Sequence, residues 1–372
     1  MRIKEKVWWV KEGPLLISMA LLAFLLWLPT GYEGAVIYQG TVHCAAEVLA
    51  VDDSHIIDTG LVRSGEQSCT LRLLGGRFQG QETEGYNMLA GSLEADKLFA
   101  VGDKALVVVH HDGESILSVN MIDHFRLGKE AILAGLFAGL LLILAGRTGL
   151  RAILSFVLTV LMLWKVLVPC YLRGFSPVPV GLLVTLGLVM ITISLVYGFE
   201  RRALAAVSGA SLGILVTALA GVGSTRWLMI HGAVMSYSES LLYSGYQHLD
   251  LTQIFMASIF IGSSGALMDL AVDITSAVHE VVEKRPDIGR WEAIRSGLNV
   301  GRAAMGTMTT TLLLAYSGGY VALLMVFMAQ GTPIDNILNY KYVSAEIIDT
   351  FVGSAGLITV APFTAQIGRA HV

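Results

Sequence analysis

The chain has 372 residues, 54% of them apolar and only 15% charged, with a mean hydropathy of +0.66. A soluble domain carries about 25% charged residues, so the composition excludes an ordinary soluble globule and points to a helical protein embedded in a lipid bilayer. A net charge of −4 and the lack of any basic run exclude nucleic acid as a partner.

The N-terminal stretch carries Arg2, Lys4, Lys6 and Lys11, and a hydrophobic run from Pro14 to Leu28 follows. This pattern fits a secretory signal peptide or an uncleaved membrane anchor. No small-x-small cleavage site is well placed near Pro29 and Tyr32, which favours the anchor. Residues 1–29 are therefore expected to form a cytoplasmic tail and a first span.

Residues 30–127 differ in kind. They hold 14 of the chain's 29 acidic residues, many glycines and short alternating runs. Candidate strands are Glu47 to Val51, Leu71 to Leu74 and Ala105 to Val109, each near Gly or Asp turn residues. About six such strands predict a small extracytoplasmic β domain, a barrel or a sandwich. His43, His55, His110, His111 and His124 have no ligand-like spacing. Cys44 and Cys69 lie where a disulfide is permitted; separate thiols are the favoured reading.

From 128 to 366 hydrophobic runs alternate with short loops. The predicted spans are 130–146, 150–170, 179–198, 203–222, 252–274, 305–328 and 347–366, each near the roughly 20 residues a spanning helix needs. With the first anchor they make about eight transmembrane helices. Forty glycines suit such a bundle, since small residues let helix backbones approach closely. The loops with Arg147 and Arg151, with Arg201 and Arg202, and with Lys284 to Arg302 are basic, and the opposite loops hold little. The positive-inside bias places both termini in the cytoplasm and the β domain outside the inner membrane. Segment 224–250 reads as interfacial helices or as a re-entrant loop. Lys165, within an apolar run, is expected to snorkel toward headgroups.

The last six residues, Ile367 to Val372, are the translation of ATC GGA AGA GCA CAC GTC, a stretch of common sequencing adapter. They are expected to be foreign to the protein and carry no functional argument.

The chemistry concentrates in two stretches. Asp269, Asp273, Ser276 and Glu280 fall at offsets 0, 4, 7 and 11, one face of a helix. Gly262 and Gly265 flank Ser263 and Ser264 just before them, a cluster that permits close packing or a helix break. A carboxylate in hydrocarbon is costly and marks a functional site by default. Two acids four residues apart repel unless they share a proton, bind a cation or pair with a base such as Arg295 or Arg302. The second stretch holds Asn299, Arg302, Thr307, Thr309, Thr310 and Thr311. Its hydroxyls either line a polar path or bond back to their own helix.

The order GALMDLAVDITSAVHE, a short charged loop, then SGLNVGRAAMGTMTTTLLLAYSGG resembles the YibE/F family of bacterial integral membrane proteins. The resemblance is strongest from about Gly262 to Gly319. It departs from the family pattern at Ala303, where an acid is typical, and at Thr310, where Asn is frequent. It implies a permease-like architecture in a bacterial cell membrane and names no substrate.

Two readings of function follow. The first is a transporter or permease for a small ion or solute, with a small cation, a proton or the substrate bound at Asp269, Asp273, Ser276, Glu280, Asn299, Arg302, Thr307, Thr309 and Thr310. The second is a non-transporting scaffold or sensor whose β domain binds a ligand or partner. No HExxH, P-loop or Cys/His metal set occurs, so neither an enzyme nor a cofactor is expected.

Overall fold

A computed structural model describes residues 2–32 and 40–371, with side chains at 8–32 and 40–368. The chain divides into two compact units, Tyr32–Leu141 and a helical unit formed by Met1–Gly31 with Leu142–Val372.

The first unit contains β1 (Thr41–Asp58), β2 (Arg63–Leu73), β3 (Glu82–Ala90), β4 (Lys104–Asp112) and β5 (Ser115–His124). They close in the order β1-β2-β3-β5-β4. All neighbours are antiparallel except β3 and β5, which pair in parallel at Tyr86 and Asn120. That order is the OB type of five-strand barrel. The 18-residue β1 closes it by pairing its first half with β4 and its second with β2. Register shifts at Val48/Ala50 and Asp52/His55 let the strand bend. Opposite the second shift stands Gly65, with φ 113° and a Cβ position only 2.2 Å from the His55 carbonyl oxygen. Only glycine fits there.

Alternation fills the barrel. Leu71, Leu73, Val107, Val109 and Val119 point inward with Phe78 and Phe99. The three candidate strands lie in β1, β2 and β4. β3 and β5 were not placed individually, because β3 has Thr83 as its one β-branched residue and carries Gly85 and Asn87 on buried positions, and β5 interrupts its apolar residues with Ser118, Asn120 and Asp123. Cys44 and Cys69 are both buried free thiols. Burial pushes the Cys69 thiol up to about 11, so it stays protonated and unreactive at neutral pH.

Seven helices among the described residues are long and apolar enough to cross a membrane. The first lies within α1 (Arg2–Trp27). The predicted spans 130–146 and 150–170 fall on one helical run of 46 residues, Leu127–Leu172. This run comprises α2 (Leu127–Met162), a π-helical turn at Leu163–Leu167 and α3 (Val168–Leu172). The expected loop between them is reduced to a backbone break at Gly146, φ 53° and ψ −123°. The remaining spans are α4 (Pro177–Tyr197), α5 (Arg201–Trp227) and α7 (Leu251–Lys284). α8 (Arg290–Ser317) continues through a 3-10 turn into α9 (Val321–Ala329) as one further span, and α11 (Lys341–His371) supplies the last. Segment 224–250 holds the end of α5, a 3-10 turn at Gly232–Val234 and the short α6 (Ser238–Tyr243); α10 (Ile334–Asn339) is equally short. α11 runs through Ile367 to His371, and Val372 lies outside the described residues.

The core of the helical unit forms where α4, α5, α7, α8 and α11 meet, around Ile214, Phe260, Leu267, Leu270, Ile274, Leu357 and Val360. Glycines set the closest approaches. Gly209 and Gly213, a GxxxG pair on α5, face Thr364 and Val360 of α11, while Gly356 of α11 faces Thr217 of α5.

The two ends of the helical unit are distinguishable. At one end Arg151 reaches Glu12 at 3.4 Å and the Lys11 carbonyl oxygen, and the Phe199 N–H bonds the Val10 carbonyl oxygen. At the other end Lys165 donates to the Leu28 carbonyl oxygen at 2.9 Å and Arg173 to that of Thr30. Lys165 therefore has a specific role that snorkelling does not capture. It satisfies a carbonyl left over at the C-terminal end of α1.

Candidate functional site

α7 carries the four residues singled out on one face, and all four lie on its exposed side. The buried side is formed by Ser263, Leu267, Leu270, Ala271, Ile274 and Val278, turned toward the core. Asp269 and Asp273 lie close enough to interact electrostatically, and neither has an ion pair among the described residues. Ser276 shares a hydrogen bond with the Tyr197 hydroxyl, which also donates to the Val272 carbonyl oxygen at 2.7 Å. Glu280 is paired with Lys284 one turn on, an exposed i,i+4 contact.

On α8, Asn299, Arg302, Thr307 and Thr310 are exposed and Thr309 is half-buried. The threonine hydroxyls bond back to their own helix: Thr307 to Ala304, Thr309 to Met305, Thr310 to Gly306 and Thr311 to Thr307. Arg302 touches Asn299 at 3.5 Å and no acid within ion-pair distance among the described residues. α7 and α8 pack together, yet the expected polar residues lie on outward faces rather than in a shared cavity.

A second constellation lies inside the helical unit. Glu346 and Asp349, three residues apart on α11, share a helix face. Glu346 Oε1, Asp349 Oδ1, Thr350 Oγ1 and the Tyr316 hydroxyl of α8 are buried atoms without a partner among the described residues. Tyr316 interacts electrostatically with both acids, as does Tyr320 in the 3-10 turn after α8. The bare backbone of Gly262 makes room for this group. A Cβ there would sit 2.9 Å from the Tyr316 hydroxyl oxygen. One turn along, Gly353 brings α11 against Ser263 of α7.

This site was missed because Glu346 precedes the predicted 347–366 span and Asp349 sits two residues into it. Acids there read as the polar edge of a span. The available signal was the i,i+3 spacing at the start of a long apolar run. Among the described residues, no three His, Cys, Asp or Glu side chains converge as metal ligands.

A bundle of long apolar helices with acids at membrane depth, joined in one chain to a five-strand barrel, defines an integral membrane protein of the helical type. The chain belongs to the YibE/F-like family. The family model described as YibE/F-like protein matches residues 133–372, 240 of the 372 positions. No curated protein matches the chain, and no solved structure does.

Proposed function

We propose that the protein is a permease for a small cation or a proton, without enzymatic activity, and that Glu346, Asp349 and Tyr316 form its binding site. The observation that carries this reading is the set of buried, unpartnered oxygens on these side chains and Thr350. Carboxylates in a spanning helix with no basic partner need a proton or a cation to offset their desolvation. Tyr316 and Thr350 supply neutral oxygens beside them, the ligand type hard cations prefer. Close helix approach at Gly262 and Gly353 holds the three helices around the site.

The orientation rests on charge. The end of the helical unit that gathers Lys11, Arg151 and Arg202 is the basic one and is assigned to the cytoplasm of a bacterial cell. The barrel then lies outside the inner membrane. The barrel also supports a second reading, a ligand-binding sensor. A groove of about 330 Å³ lies between the β1–β2 turn and the loop after β3, where Leu61 and Leu93 stand exposed beside Arg63 and Lys97.

Flux assays in liposomes separate these readings. Asp349→Asn and Glu346→Gln are expected to abolish sodium, potassium or proton flux at normal membrane abundance. Loss in Asp269→Asn alone would return the site to the exposed face of α7. No flux of any of the three ions through the wild-type protein would overturn the permease reading.

A further inference from the structure

The exposed polar faces of α7 and α8 raise a separate question. Asp269 lies within the apolar stretch 252–274 and Asp273 at its edge, yet both project from the outside of the helical unit. Arg302 of α8, three residues before the predicted span 305–328, is exposed as well. Charged residues at membrane depth normally face protein or water rather than lipid. None of the three is ion-paired among the described residues.

Helix packing fixes their relative depth. The Cβ position of Gly297 lies 2.5 Å from Val278, and that of Gly301 lies 2.9 Å from Ile274. Four residues forward on α8 thus match four residues back on α7, as antiparallel neighbours require. Continuing that register by one residue sets Arg302 level with Asp273. Continuing it by five sets Gly306 level with Asp269. Gly306 and Gly265 have open space where a Cβ would lie, so this face can receive another backbone closely.

We infer that this face is covered by a second copy of the chain, with Arg302 of each copy paired to Asp273 of the other in a two-fold dimer. Two copies inserted in the same direction are related by an axis along the membrane normal, which leaves every residue at its own depth. Charges that pair across such an axis must share a depth, and Arg302 and Asp273 do. The contact is isologous, so the same pair forms twice. The exposed apolar neighbours Val300, Leu313 and Leu314 on α8 extend the surface beyond the charges. This inference does not depend on what the protein transports.

The test uses the full chain in lipid nanodiscs, with mass measured across a dilution series. The wild type is expected at twice 39.9 kDa after subtraction of lipid and scaffold. Arg302→Asp and Asp273→Arg should each lose the two-chain species, because each homodimer then opposes like charges twice. Mixing the two variants under different tags should restore it. One partner then carries an aspartate at both positions and the other an arginine at both, so both contacts are again complementary. Rescue by mixing cannot arise from a pair within one chain. A monomeric wild type would overturn the inference and leave the face to lipid. So would a dimer that survives both single variants, or rescue seen only when both exchanges are made in the same chain. If the variants do not accumulate, the wild-type mass alone still decides against the inference when it is that of one chain.

Discussion

A close contact between α5 and α11 makes a quantitative prediction. Gly209 of α5 faces the backbone of α11, and a Cβ at 209 would lie 2.1 Å from Thr364 Oγ1 and 2.9 Å from Thr364 Cα. Rotating the threonine relieves the first overlap. Nothing local relieves the second, since Cα moves only with its helix. Ordinary contact begins at 3.4 Å, so α5 and α11 must part there by about 0.5 Å, the difference between 3.4 and 2.9. Overpacking of this kind costs about 1–3 kcal/mol. Replacing glycine by alanine in a helix returns about 1 kcal/mol of propensity. Gly209→Ala is therefore expected to range from neutral to about 2 kcal/mol destabilising. Gly223→Ala is the matched control. It lies on the same helix, is exposed and has nothing within 4 Å of its Cβ position, so it should gain up to about 1 kcal/mol. Reversible unfolding in mixed micelles should separate the two variants by about 1–3 kcal/mol, roughly a thirtyfold change in equilibrium constant at the middle of that range. Equal stability of the two variants would refute the claim that α5 and α11 are held in backbone contact at Gly209.

Two further predictions concern the barrel. Gln67 is buried, accepts from the Phe99 N–H at 3.0 Å and from Asn87 Nδ2 at 3.1 Å, and donates to the Phe99 carbonyl oxygen at 3.1 Å. Gln67→Leu orphans both polar groups of the Phe99 backbone and should destabilise the barrel by at least about 2 kcal/mol in denaturant unfolding; a change below about 0.5 kcal/mol would show the network to be dispensable. Asp96 accepts from the backbone N–H groups of Ala90 and Ser92, and the bond from Ala90, the larger effect, holds its carboxyl below the usual 3.8. A lowered folded-state pKa means its contribution is complete above 3.8 and lost as pH falls through the folded value. Pepsin cleavage of the loop after β3, normalised to an unstructured peptide, should therefore stay slow from about pH 5 and rise only toward about pH 2. Asp96→Asn should be cleaved quickly throughout, and identical profiles for the two proteins would remove Asp96 as the loop's anchor.

Composition and periodicity by themselves determined the membrane class, the spans from α4 onward and the presence of a β domain. These are local properties. A run of about 20 apolar residues must be helical in lipid, because no water is present to satisfy its backbone. The family resemblance was equally local, carried by the stretch from Gly262 to Gly319. Closure of the barrel was not local. β3 and β5 lack a clean apolar alternation of their own and are fixed by their neighbours, and the parallel pairing of Tyr86 with Asn120 joins residues 34 positions apart.

The side on which a helical residue lies was also decided only in three dimensions. Spacing put Asp269, Asp273, Ser276 and Glu280 on one face, and they share one. Whether that face met the core depended on where α4, α8 and α11 packed, and the side bearing Leu267, Leu270 and Ile274 took that place because it removes more apolar surface from water and lipid headgroups. The same packing turned Glu346 and Asp349, which resembled the polar edge of a span, toward Tyr316 on α8. Spacing along one helix cannot register a partner on another, and an acid's role in a bundle is set by what stands opposite it.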